Sequence, residues 1–516
     1  MKKKLFIAFL LVFVIAFVLV GCSNSQNEEG KDANAAKPET KEATGSSVVR
    51  IAMSTEIDNL DPYKSAATDT GSMMDNVFDG LLDTNPKGEL VGAIAKSYDI
   101  SEDGLTYTFT LNEGVQFHDG SELTSEDVVA SYETLAGMNG GEPIVAEFAV
   151  IDSIEAPSDY EVIFHLKEKN SAFLAANIVA IVPSDYEEQS SKPIGAGPFK
   201  FEAYKVGQEL RLVKNENYYN HEKIPQIDEV QFKIMPDQES SVLAMQAGEI
   251  DVLPGVTQQG LTQLGDSINT VSGPQNMVQL LALNNDVEPY SDLKVRQAIN
   301  LAIDKDTIID TVSEGNGTKL GSNFSPAMEF YYEPGLEDYY ATNIEKAKSL
   351  LAEAGYNDGF QMELTVPSDY QFHVDTAQVI AEQLSQVGID VEIKMIEFST
   401  WLEDVYQNEQ YDTTIIGFTG KLDPYKILRR YVNDYERNFV NYDNEAYDEL
   451  IDQALRATDE KDIAAHYKEA QRLLTEDAVS VFISDPDRTI AMSNHLEGLN
   501  MYPIQKFNLE DLHYTE

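Results

Sequence analysis

Apolar positions recur along this chain in two rhythms. Over residues 105–111 the large side chains Leu105, Tyr107, Phe109 and Leu111 alternate with threonines, the period of a strand with one buried face. Residues 160–166 repeat that alternation more weakly. Elsewhere the period is helical. Thr124-Ser125-Glu126-Asp127 offers a cap ahead of Val128, Val129 and Tyr132 on one face. Asp292 precedes a helix with Val295, Ile299 and Ala302 on one side, and Asn343 precedes one carrying Ala347, Leu350, Leu351 and Ala354, which Gly355 ends in the left-handed position. A further helix with Val379, Ile380 and Leu384 ends at Gly388 and feeds the alternating strand 391–395, an αβ unit on an open sheet. A single long helical stretch is expected over 447–476, returning as a strand over 479–484. Asp103-Gly104 and Asp119-Gly120 are turn pairs, Gly195, Gly197 and Pro198 suit a sharp reversal, and Gly248 closes a helix before a strand near Ile250. Interleaved helices and strands predict an α/β body.

The N-terminus follows another pattern. Lys2, Lys3 and Lys4 precede an apolar run from Leu5 to Val20, shorter than the ~20 residues that span a bilayer. A basic start, a short apolar core and a small residue before the cut predict a secretory signal peptide over 1–21. Cys22 is the only cysteine, so an intrachain disulfide and a cysteine-built metal cluster are excluded. Leu19-Val20-Gly21-Cys22 resembles a bacterial lipobox, which implies lipidation of Cys22 and attachment to the extracytoplasmic face of the cell membrane. Residues 22–47 carry almost nothing apolar larger than alanine and are expected to form a disordered tether. Residues 48–516 suffice for two or three domains, and no second apolar segment is long enough to span a membrane.

Charge and motifs then remove whole classes of function. The formal net charge is −51, from 88 acidic against 37 basic residues, which repels nucleic acid and anionic headgroups. There is no Gly-x-Ser-x-Gly elbow, no His-Glu-x-x-His, no phosphate-cradling glycine loop and no catalytic cysteine. Seven histidines are scattered without ligand spacing. No enzyme activity, cofactor or resident metal is expected.

A set of short blocks points to a binding protein instead: Ile57-Asp58-Asn59-Leu60-Asp61-Pro62, Val77-Phe78-Asp79-Gly80-Leu81-Leu82, the run Ser101–Phe109, Gly114-Val115-Gln116-Phe117-His118-Asp119-Gly120, Pro193–Phe199, Gln246–Asp251 and Lys294–Ile299. In this order and spacing, over nearly the whole mature body, they resemble the ABC transporter solute-binding proteins of family 5, the oligopeptide- and dipeptide-binding lipoproteins. The resemblance implies a two-lobed, class II periplasmic-binding-protein-like clamp with an additional inserted subdomain. The first lobe would comprise 48–76, 184–270 and 480–516, the inserted subdomain 77–183 and the second lobe 271–479. It further implies a monomer that closes on a small solute, most often a peptide, and delivers it to an ABC permease and ATPase complex. Relatives of the fold also bind nickel chelates, opine-type metallophores, heme, glutathione or oligosaccharides, and a surface receptor for a signalling peptide is a further alternative.

The same resemblance nominates ligand-binding residues. Such proteins hold a peptide backbone by strand-like hydrogen bonds and house its side chains in wet pockets. Their second lobe carries a loop Gly-Trp-x-Gly-Asp followed by Asp-Pro, whose first acid pairs with the ligand amine. Here the stretch reads Gly417-Phe418-Thr419-Gly420-Lys421-Leu422-Asp423-Pro424, with Phe418 for the tryptophan and Lys421 for the acid. Lysine repels an ammonium and favours a carboxylate. Three readings stay open: Asp423 takes the amine, the ligand presents a carboxylate, or Lys421 points to solvent. His373 and Asp375 fall where some relatives hold the ligand carboxylate, and with Lys421 they would invert ligand polarity. Phe398 falls where an aromatic meets the ligand, Trp401 is read as helix packing, and Ser54 and Thr55 fall where the first lobe meets the ligand backbone.

Overall fold

The computed structural model describes residues 47–65 and 67–515. The signal peptide, Cys22 and all of the tether except Ser47 lie outside the described residues. Among the described residues no helix is long and apolar enough to cross a membrane.

Two open sheets share one strand. In the first, Val48–Met53 pairs in parallel with Glu229–Ile234, which is followed outward by Glu209–Lys214 and Phe199–Lys205. On its other side stands Val252–Pro254, and beyond it the late part of Ser480–Ser493. The second sheet runs Ile389–Ile396, Phe360–Pro367, Thr413–Thr419, Met277–Leu283 and then the early part of the same Ser480–Ser493. The central strands are buried on both faces, as near-continuous apolar runs such as Met277–Leu283 require. Helices Leu293–Ala302 and Gln371–Ser385 cover one face of the second sheet, and Glu445–Arg456 and Glu460–Glu476 cover the other.

Local signals in the sequence are borne out by local geometry. Thr124 and Asp127 form a capping box on Ser125–Leu135; Asp292 and Asn343 each accept a backbone N–H at the start of their helices. Thr106–Leu111 alternates half-buried and buried positions as its period demands. The stretch over 447–476 is two helices, not one. Ala457 turns extended, and the Asp459 carboxylate accepts the backbone N–H groups of Lys461 and Asp462, starting the second helix afresh. A side-chain acceptor at that point outcompetes continuation of the first helix.

Residues 77–183 contain a separate antiparallel sheet, ordered Ala95–Ile100, Thr106–Leu111, Glu161–Leu166 and Ile151–Ser158. Its core is aromatic: Tyr107, Phe109, Tyr132, Phe148, Phe164 and Phe173 meet at centroid distances of 4.6–5.8 Å. The chain enters and leaves this unit side by side. Gly197 N–H donates to Val77 O at 3.0 Å and Phe199 N–H to Asn76 O at 2.9 Å. Gly195 lies so close to that root that a Cβ there would sit 2.1 Å from Val77 O.

The two sheets exchange partners at two adjacent points. Ile268–Pro274 pairs in the first sheet and Met277–Leu283 in the second, so Gln275 and Asn276 make one crossing. On the shared strand Ser484 still faces Gln279 whereas Asp487 faces Pro274, so Asp485 and Pro486 make the other. Both crossings fall further along the chain than residues 271 and 480.

Replacing Gly195 by Ala is expected to destabilise the protein by about 2–3 kcal/mol, because the added carbon cannot be accommodated against backbone. Gly141→Ala, where nothing lies within 4 Å, should be near neutral. Urea denaturation of the two variants makes the comparison.

Candidate functional site

Three cavities converge on Gln275, at the first crossing. The one on the second sheet, about 590 Å³, is predominantly apolar. Its floor is the end of strand Thr413–Thr419, and its wall is the helical segment beginning at Phe398. That segment widens to a π-helix over Trp401–Gln407, a wider turn of the kind often met at functional sites. Trp401 stacks on Phe398 at 5.8 Å and 9° and on Tyr406 at 5.9 Å and 17°, and its Nε1–H donates to Thr414 Oγ1 at 2.8 Å. Tyr370 meets Phe398 edge-on at 5.1 Å. Phe418 lines the same space, with the Arg430 guanidinium 4.5 Å from its ring centroid, a cation–π contact. Trp401 is therefore part of this aromatic shelf as well as helix packing.

The strand under the shelf keeps one edge bare. Met277–Leu283 pairs with it throughout, but Phe360–Pro367 pairs only with Thr413 and Thr414. Ile416 to Thr419 therefore have no ladder partner on that side among the described residues. Gly417 lets the strand lie close to Met277 and His373: a Cβ would meet Met277 Sδ at 3.1 Å and the His373 ring at 3.3 Å.

His373 lines this cavity but is no cation. Gln279 Nε2–H donates to its Nδ1 at 3.0 Å, and burial pushes its pKa down to about 4, so it is neutral at physiological pH. Asp375 accepts from Gln371 Nε2 at 2.7 Å on its own helix and lines none of the three cavities. Asp423 is buried as the cap of Pro424–Leu428, accepting Tyr425 N–H at 2.9 Å, and also lines none of them. Burial raises its pKa to about 6, and its second carboxylate oxygen has no hydrogen-bond partner. It lies by the Lys426–Glu147 ion pair, 2.8 Å, which ties the inserted subdomain to the second lobe.

On the first sheet a cavity of about 440 Å³ is lined by Ser54, Asp69, Gln238, Arg488 and Gln505 among others. Thr55 does not line it, but its Oγ1 donates to Asp69 Oδ2 at 2.6 Å. The third cavity, about 360 Å³, lies between the sheets and brings Thr419 and Lys421 of one together with Arg488 and Lys506 of the other. Arg488 was not among the nominated residues. Arg488 stands in the polar stretch Ser484–Thr489 between two apolar runs, and that break was the available signal.

The crossings themselves are clasped by a buried acid. Asp485, 0 % exposed, accepts Gln275 N–H at 3.1 Å and the Ser325 hydroxyl at 2.5 Å. Gln275 Nε2–H returns a bond to Pro486 O at 2.9 Å, and Asn276 reaches Pro503 O at 2.9 Å. Burial raises the Asp485 pKa to about 7.

Two sheets joined by paired crossings, with a cleft opening at the joint, define a two-lobed solute-binding protein. Residues 89–439 match the bacterial extracellular solute-binding proteins, family 5 (Middle), and the chain belongs to that family, which is not one of enzymes. The oligopeptide-binding protein AppA of Bacillus subtilis is 29% identical over 99% of this chain and 98% of its own length. Its structure in complex with a nonapeptide covers 91% of this chain and 99% of that one, at 27% identity and a TM-score of 0.68. The ABC transporter substrate-binding protein CtaP of Listeria monocytogenes shares the fold at TM-score 0.82 and 24% identity, over 91% of this chain and all of its own.

Between about pH 4 and 7 the folded chain keeps a proton on Asp485 that the unfolded chain has released. This group's contribution to stability therefore falls as pH rises through that window and is level above it. Asp485→Asn should match the parent near pH 4 and exceed it by about 2–4 kcal/mol above pH 7. Urea titrations at pH 4.5 and 8 check this; an equal offset at both values refutes it.

Proposed function

We propose that this chain is the lipid-anchored, extracytoplasmic receptor of an ABC importer, taking up peptides by closure of its lobes. The observation that carries this reading is the bare edge of Ile416 to Thr419 beneath an aromatic shelf. An extended peptide adds to such an edge through main-chain bonds that are indifferent to sequence. Its side chains would lie against Phe398, Trp401 and Phe418, where burial of each aromatic or aliphatic group is favourable. Ser54 and Gly417 meet the ligand from opposite lobes, and Thr55 acts through Asp69. The name of the B. subtilis relative and its nonapeptide complex support peptide as the solute class.

Closure needs backbone rotation only at Gln275–Asn276 and Asp485–Pro486, a two-strand hinge of the kind used by periplasmic binding proteins. Cys22 carries the lipid, residues 22–47 are the tether, and a monomer presents the closed lobes to a permease and its ATPase.

Mass spectrometry of solute released from purified protein by mild denaturation should find peptides; sugar, heme or a metallophore would replace this reading. Trp401 is the only tryptophan, so its fluorescence reports the shelf directly. Peptide titration should change that emission saturably and reduce the radius of gyration in solution scattering. Phe418→Ala should weaken binding by about 10- to 100-fold, the cost of losing a buried aromatic anchor.

A further inference from the structure

We propose that the cavity between the lobes is an anion subsite in which Lys421 and Arg488 together receive a carboxylate of the solute, whose apolar part lies on the aromatic shelf. This rests on the peptide reading above and assigns polarity to the same cleft.

Acidic residues outnumber basic ones 88 to 37 in this chain, yet the cavity between the lobes is lined by three basic residues and no acid. The other basic groups nearby are committed. Lys506, in the same cavity, is paired with Asp83; Lys426 is paired with Glu147; Arg430 lies over Phe418. Lys421 and Arg488 differ: among the described residues neither has a carboxylate within ion-pair distance or a side-chain hydrogen bond. The acid closest in influence to Arg488 is Asp69, which is already engaged by Thr55 Oγ1 and Gln505 Nε2.

Arg488 is half-buried, and Lys421 is exposed where it lines the same cavity. Burial lowers the pKa of the Arg488 guanidinium. Burial first, then Lys426 and Arg430, lowers that of the Lys421 ammonium. A counter-charge entering the cavity would offset the desolvation of these cations. A planar guanidinium takes a carboxylate in bidentate fashion, while the lysine adds a point charge. They also approach from opposite lobes, Lys421 from the loop after Thr413–Thr419 and Arg488 from the late part of the shared strand. A carboxylate between them would therefore join the lobes. Among the described residues lining the three cavities the one acid is Asp69, on the first lobe.

Four synthetic peptide libraries of aromatic-rich hexamers, with or without one glutamate and with free or amidated C-termini, provide the test by thermal shift and Trp401 fluorescence. Protection by free-acid libraries and not by the amidated library lacking glutamate supports the subsite. Protection by amidated peptides with glutamate assigns a side-chain carboxylate; its absence assigns the C-terminus. Lys421→Gln and Arg488→Gln should each weaken free-acid binding 10- to 100-fold while leaving any residual binding of the glutamate-free amides unchanged. Should Arg488→Gln fail to fold, Lys421→Gln carries the test. Equal protection by all four libraries overturns the subsite and leaves the peptide reading intact. No protection by any library overturns both.

Discussion

Ser480–Ser493 has to satisfy two sheets at once, and the geometry of the cleft follows from how it does so. On one side Ser484–Pro486 pairs with Gly317–Lys319, while on the other the partner passes from Met277–Leu283 to Ile268–Pro274 between Ser484 and Asp487. Asp485 and Gln275 bridge that change of partner, the one accepting from the opposite crossing and the other donating to Pro486 O. Ser325 completes the clasp from the second lobe. The two crossings are therefore held side by side, with the end of Thr413–Thr419 on one side of them and Arg488 on the other.

Charge is distributed to suit such a cleft. Most of the −51 lies on solvated faces, where it favours solubility. Carboxyls drawn out of solvent are instead raised in pKa by desolvation: the half-buried Asp79 to about 7 beside the root of the inserted subdomain, and the buried Asp485 to about 7 at the second crossing. The cavity between the lobes is lined by Lys421, Arg488 and Lys506, and of these Lys506 alone has an acid partner among the described residues. A surrounding negative field weakens long-range attraction for an anionic solute, but at salt concentrations where screening acts within ~10 Å the local pair dominates.

Features set by neighbours in sequence were legible, and those set by distant partners were not. The caps at Thr124, Asp292 and Asn343 and the alternation at Thr106–Leu111 each depend on a few adjacent residues. The crossings depend on which strand lies alongside, which no local pattern encodes. His373 and Asp375 are two positions apart on a helix, about 200° around its axis, and of the two only His373 lines the apolar cavity. Asp423 before Pro424 reads as a helix cap with proline at the first position, as the structure has it.

On the proposed reading, the shelf and the basic pair would divide the work of recognition in a way that neither could perform alone. Main-chain pairing along Ile416 to Thr419 and stacking on Phe398, Trp401 and Phe418 tolerate many side chains, because every peptide has the same backbone and apolar burial is non-directional. Such contacts leave register and direction undefined. A carboxylate fixed between Lys421 and Arg488 would define both, since one end of an extended chain is then pinned at the junction. Because the two cations belong to different lobes, the same contact is available in full only when the lobes are together. Direction of binding and closure of the clamp would then be a single event, driven by one charge.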